Sequence, residues 1–135
     1  EDLKAFVRAN GQPVQKVQLC FRDMAERETA RAEITAAFPD VLVTSSFRNN
    51  LELNAVDADK GRALLALARH LGIPAEDTVA FGDSSNDLRM LRAAGTSVAM
   101  GNAAPEVRAV CDYVTDTNDC DGVAAFLRAH ILHGV

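Results

Sequence analysis

The sequence predicts an α/β protein, and three observations carry that prediction. From residue 57 onward, short apolar runs alternate with amphipathic helical stretches, the signature of βα units that build a parallel sheet. Over residues 1–56 the order is helix, strand, helix, strand, strand, which suits an antiparallel sheet with helices on one face. Within the second part, Val79-Ala-Phe-Gly-Asp-Ser-Ser-Asn-Asp-Leu-Arg-Met-Leu91 reads as a buried strand, a tight turn and a helix. It places Asp83 and Asp87 at the strand's C-terminal end, where ligands bind in open α/β sheets.

The elements follow in order. Glu1 to Asn10 reads as a helix stopped by Gly11, with Leu3, Phe6 and Val7 on one face. Val14 to Phe21 alternates apolar and polar residues, with Val17, Leu19 and Phe21 on the buried side of a strand. Ala25 to Phe38 is a charged helix with an apolar stripe of Ala30, Ile34, Ala37 and Phe38, stopped by Pro39-Asp40. Val41 to Ser46 and Leu51 to Val56 form a hairpin about Arg48-Asn49-Asn50.

At Asp57 the pattern changes, and the chain divides into residues 1–56 and 57–135. Lys60 to Leu71 is a helix with Leu64, Leu67, Ala68 and Leu71 on one face, ended by Gly72. Thr78 to Phe81 is the buried strand, Ser85 to Ala94 the helix after it, and Ser97 to Met100 a further strand. Pro105 opens a helix reaching Val110, and Cys111 to Thr115 is the last strand. Gly122 to Ile131 is a terminal helix with Val123, Phe126, Leu127 and Ile131 as its buried stripe.

Composition bounds the function. With 48% apolar residues, the 135-residue chain has the make-up of a soluble globular protein. No apolar run approaches the ~20 residues that span a bilayer, so no membrane role is expected. No signal peptide is legible. A net charge of −5, no Trp and one Tyr argue against a nucleic-acid partner. Cys20, Cys111 and Cys120 have neither disulfide-framework nor zinc spacing and read as thiols of a reducing cytoplasm. His70 lies near a helix end, where it favours the dipole. His130 and His133 fall on an exposed face of the last helix.

Asp83, Asn86 and Asp87 supply only oxygen donors of the kind a hard cation such as Mg²⁺ takes. Each residue also has a plainer reading. Gly-Asp favours turns on its own, and Asp87 complements a helix dipole from the first turn. Ser85 is a candidate N-cap, and Asn102 is either a site residue or a turn residue. Arg22 and Arg48 are candidates to meet the distal group of a substrate, though solvated arginines are commoner.

The pattern Gly82-Asp83-x-x-Asn86-Asp87 resembles the last motif of the haloacid dehalogenase-like (HAD) phosphatases. More narrowly, it is similar to the Cof type, which hydrolyses phosphate monoesters. Leu51-Glu-Leu-Asn-Ala-Val-Asp-Ala-Asp-Lys60-Gly61 resembles the segment leading to that family's essential lysine. Val98-Ala-Met-Gly-Asn-Ala103 resembles the next strand and turn, and Tyr113-Val-Thr-Asp-Thr-Asn with Asp121-Gly-Val-Ala124 the C-terminal end. Four motifs in order cover nearly the whole chain and are far more specific than any one of them.

The resemblance implies the C-terminal half of a Rossmann-like parallel-sheet core plus part of an α+β cap domain. It implies Lys60 as a catalytic residue contacting substrate phosphoryl oxygens and Asn86 as a second phosphate contact. Asp83 is implied as a catalytic residue and a direct Mg²⁺ ligand. Asp87 is implied to reach the metal through water or to orient the lysine. The substrate class is a small phosphorylated metabolite, such as a sugar phosphate or phosphorylated cofactor.

The family's nucleophile is an aspartate in Asp-x-Asp-Gly-Thr after the first core strand, and it forms an aspartyl-phosphate. Asp57-Ala58-Asp59 lacks the Gly-Thr, and Asp119-Cys120-Asp121-Gly122 has no strand feeding it and reads as a turn and helix N-cap. Neither is assigned as nucleophile. The expectation is a chain that starts inside the cap, as the non-methionine Glu1 fits, and is inactive alone. Thr78 to Phe81 then becomes an open sheet edge, prone to self-association or completed by a partner. Two other readings are a non-catalytic binding module that keeps the fold and one subunit of a split enzyme.

Overall fold

The computed structural model describes residues 2–11 and 13–132. His133 lies outside the described residues. Two three-stranded sheets organise the chain.

The first sheet is antiparallel, in the order β1-β3-β2, with β1 Val17–Cys20, β2 Val41–Thr44 and β3 Asn50–Ala55. The pairing sets Leu53 between Val17 and Val43, and Leu51 opposite Leu19. These apolar residues share one face, because alternate side chains on a strand point the same way. Helix α2, Met24–Ala37, covers that face, with Ile34 beside Val17, Val41 and Leu53. Helix α1, Leu3–Asn10, precedes the sheet; Asp2 caps it, donated to by the Lys4 N–H at 2.9 Å, and Gly11 ends it at a φ of 62°.

Two expectations fail in this sheet. The first strand begins at Val17, three residues later than the alternation from Val14 predicts. The stripe of α2 also turns: Ala37 and Phe38 are exposed, and Arg27 is buried instead. The Arg27 guanidinium donates to the Asn50 carbonyl at 3.1 Å and to Ser45 Oγ, so hydrogen bonding at the hairpin outweighs apolar patterning there.

The second sheet is parallel, in the order β4-β5-β6, with β4 Val79–Gly82, β5 Thr96–Ala99 and β6 Tyr113–Val114. Helix α3, Lys60–Leu71, has the bounds its sequence predicts; the Asp59 side chain caps it and Gly72 ends it at a φ of 70°. A single 3₁₀ turn, Ser85–Asp87, leads into α4, Leu88–Ala93. The short α5, Pro105–Arg108, follows β5, and α6, Gly122–His130, closes the chain.

Ala80 and Ala99 pack with Leu91, Ala103 and Val107, with Leu64 and Leu88 against them. On the opposite face, Phe81 meets Phe126 of α6 edge-on at 5.6 Å. Helices therefore cover both faces, as a parallel sheet requires.

The observed elements correct several expectations here. Leu67 and Leu71 of α3 are 57% and 60% exposed, so only Leu64 and Ala68 of the expected face pack inward. Val123 of α6 and Ile131 just past its end are exposed, and Phe126 carries the packing. The last strand has two residues rather than five. Asp121 adopts the left-handed region at a φ of 55° and makes no side-chain cap bond.

Among the described residues, no strand pairs with the outer side of β4. Nor, among the described residues, is any helix long and apolar enough to cross a membrane.

Candidate active site

The site begins where β4 ends. Gly82 closes the strand, and a Cβ there would lie 2.6 Å from the Asp87 Cβ, so the turn can fold back only because residue 82 has no side chain. That close return brings the Asp87 carboxylate beneath the turn. Its Oδ2 accepts the N–H groups of Asp83 at 3.1 Å and Ser84 at 3.3 Å. Its Oδ1 lies 2.5 Å from Lys60 Nζ. Asp87 is buried, whereas the Lys60 side chain is half exposed. Both carboxylate oxygens are thus engaged, and the ammonium group faces outward from them.

Asp83 projects from the same turn into solvent. Ser84 Oγ donates to its Oδ1 at 3.0 Å, and Asn102 Nδ2 donates to its Oδ2 at 3.1 Å. Asn102 is itself fixed, since its Oδ1 accepts the Asn118 N–H at 3.1 Å. Of the two readings open for Asn102, its placement is beside Asp83. Asn86 lies in the same turn and lines a cavity with Lys60; its Oδ1 is buried without a hydrogen-bond partner among the described residues. A buried unpaired carbonyl oxygen is costly and marks a place where a cation or donor is wanted. Ser85 does not cap the helix as expected; its hydroxyl donates to the Ser45 carbonyl at 3.1 Å and joins the two sheets' loops.

Two cavities open on either side of Ser85. One, about 330 Å³, is lined by Glu52, Asn54, Lys60 and Asn86. The other, about 670 Å³, is lined by Arg27, Arg48, Ser46, Asp83 and Ser84. The polar face of β3 therefore looks across at the acidic turn. Arg48 reaches this region, whereas Arg22 is exposed and lines neither cavity.

Glu52, buried on that face, accepts from Ser46 Oγ at 2.5 Å and Lys16 Nζ at 3.1 Å. The Ser46 bond, with Lys16 and the more distant charge of Lys60, holds its carboxyl below the usual range against the opposing effect of burial. Sequence reasoning missed Glu52, although its place between Leu51 and Leu53 in an alternating strand was a usable signal.

The donor set fits a hard cation in kind. Asp83 offers an exposed carboxylate and Asn86 an unpartnered amide oxygen, both of the type Mg²⁺ takes. Among the described residues there is no cluster of three or more His, Cys, Asp or Glu side chains able to hold a metal by themselves.

A parallel sheet with two acids and a lysine at its carboxyl end, overlooked by a polar antiparallel sheet, places these side chains where open α/β sheets bind their ligands. Residues 2–127 match the family described as haloacid dehalogenase-like hydrolase. The chain belongs to that family. It is 50% identical over 93 residues to phosphatase YwpJ of Bacillus subtilis, covering 69% of this chain and 32% of that protein. A solved haloacid dehalogenase-like hydrolase from B. subtilis superimposes with a TM-score of 0.85 at 38% identity, over 96% of this chain and 45% of that one. The HAD subclass IIB sugar phosphatase BT4131 superimposes with a TM-score of 0.80 at 30% identity, over 92% and 46%. These relatives agree with the Cof-type resemblance of the four motifs. The matched stretches span about a third of the curated relatives and less than half of the solved structures.

Proposed function

We propose that this chain carries the lysine- and metal-bearing half of a Mg²⁺-dependent phosphate monoester hydrolase of the Cof type. The nucleophile of its aspartyl-phosphate lies outside these 135 residues. The observation that carries the reading is the Lys60–Asp87–Asp83 constellation, with the unpartnered Asn86 oxygen beside it, at the carboxyl end of β4.

In this reading Lys60 donates to a phosphoryl oxygen and offsets its charge. Asp87 orients the ammonium group through Oδ1 and the turn backbone through Oδ2. Asp83 and Asn86 are the residues that would hold Mg²⁺, which would supply charge neutralisation at the phosphoryl group. Asn102 and Ser84 keep the Asp83 carboxylate in place. Asn86 has an amide N–H pair to offer phosphate as well.

The substrate is a small phosphorylated metabolite, a reading supported by the similarity to a sugar phosphatase and by the polar cavities beside Lys60 and Asp83. The unpaired edge of β4 favours completion by another segment, either of a longer chain or of a partner subunit. The test is Mg²⁺-dependent release of phosphate from monoesters by the completed protein. Loss of release in both Lys60→Ala and Asp83→Asn is expected; full activity in either variant refutes the assignment.

A further inference from the structure

We propose that Arg89 is a positioning residue for Lys60, acting as a clamp that registers the start of α3 against the acidic turn. This rests on the reading of Lys60 as the catalytic lysine.

The sequence gives no warning of it: Arg89 is one of two arginines on an amphipathic helix. Its Nη1 donates to Asp59 Oδ2 at 3.0 Å and to the Val56 carbonyl at 3.1 Å. Asp59 is the N-cap of α3, with Oδ1 accepting the Arg62 N–H at 3.0 Å. Its side chain is only 7% exposed, so its charge depends on these partners. The Arg62 bond, with Arg89, holds the Asp59 carboxyl below its usual range against burial.

Three consecutive residues therefore engage one short segment. Asp59 binds the Arg89 side chain, Lys60 binds Asp87, and Gly61 lies so close that a Cβ would sit 2.6 Å from the Arg89 carbonyl oxygen. The Lys60 side chain is long and half exposed, so burial alone does not set its direction. The anchor points on either side of it do. Val56 follows directly on β3, so the same guanidinium also holds the connection between the two sheets. Both bonds leave the single Nη1 nitrogen, so what a lysine at position 89 loses is the fixed aim of the planar guanidinium rather than a second donor group.

The test reads the Lys60 ammonium group directly by ¹⁵N NMR of the lysine side chains. The chain has three lysines, Lys4, Lys16 and Lys60, so the signals are assignable by single substitutions. In Arg89→Ala, Lys60 ammonium exchange rises about three- to tenfold, the effect of losing one restraining hydrogen bond. Arg89→Lys restores part of the protection. Asp59→Asn keeps the helix cap and gives a smaller change of the same sign. Arg128→Ala, at an exposed position of α6 on the other face of the sheet, leaves Lys60 unchanged. The Lys16 signal and the Val98 backbone amide report general loosening.

Unchanged Lys60 exchange in Arg89→Ala overturns the proposal, as does a rise that Lys16 and Val98 share in equal measure. Phosphate release in the completed protein is measured separately. If Lys60→Ala leaves it intact, the phosphatase reading fails, whatever the ammonium signal does.

Discussion

Lys60 Nζ lies 2.5 Å from Asp87 Oδ1, joining residues 27 apart in sequence. The other oxygen of the same carboxylate holds the backbone of Asp83 and Ser84. One buried acid thus sets both the lysine and the turn that presents the exposed acid. In the completed enzyme, Asp87→Ala is expected to lower kcat by about 10²–10³, the usual effect of disturbing one charge-stabilising group. It also leaves two N–H groups unpaired, so thermal unfolding should show a loss of about 1–3 kcal/mol.

Gly61→Ala tests the packing behind the lysine. The added Cβ would lie 2.6 Å from the Arg89 carbonyl oxygen, a backbone atom that cannot swing aside. Overpacking of this kind costs about 1–3 kcal/mol. A lowered Tm by calorimetry is expected, with Gly11→Ala a poor control because its φ of 62° strains any side chain. A Tm equal to wild type would show that α3 and α4 can separate without cost.

Glu52 makes stability depend on acid pH. Its folded carboxyl titrates below the ordinary value of 4.5, chiefly through the Ser46 hydroxyl. Its stabilising contribution is therefore fully present above that ordinary value and is lost as pH falls through the lowered one. Glu52→Gln should flatten this part of the pH–stability curve and leave Lys16 without its partner. Urea midpoints taken from neutral to acid pH measure it. Identical pH profiles for wild type and variant would contradict the assigned cause.

Among the described residues, no strand pairs with the outer side of β4, at the edge of the parallel sheet. Such an edge pairs with whatever strand is available. Sedimentation velocity on the chain by itself should show mass rising with concentration. A clean monomer across the range would mean that the edge is protected in some other way.

Much of this fold was legible because local rules and tertiary demands agree. The bounds of α3 follow from Asp59 at its start and Gly72 at its end, and the acidic turn follows from Gly82-Asp83 after an apolar strand. What escaped depends on contacts distant in sequence. Arg27 is buried because the hairpin carbonyl of Asn50 lies above it, which no periodicity encodes. Leu67 and Leu71 continue the apolar stripe of α3, yet they are exposed because none of the described segments covers them. Ser85 meets Ser45, 40 residues away, rather than capping its own helix. The four candidate site residues stand out by their spacing and family resemblance, whereas Arg89 gave no signal apart from its contacts with Asp59 and Val56.

The most direct test is one phosphate-release assay with Mg²⁺ and a phosphate monoester, run on two forms of the protein. One form is the 135-residue chain alone. The other is the chain joined to an upstream segment bearing the Asp-x-Asp-Gly-Thr strand. The expected result is no turnover by the chain alone, turnover by the joined form, and its loss in Asp83→Asn. Turnover by the chain alone that Asp83→Asn abolishes would contradict the half-site reading, as would joined-form turnover indifferent to Asp83→Asn.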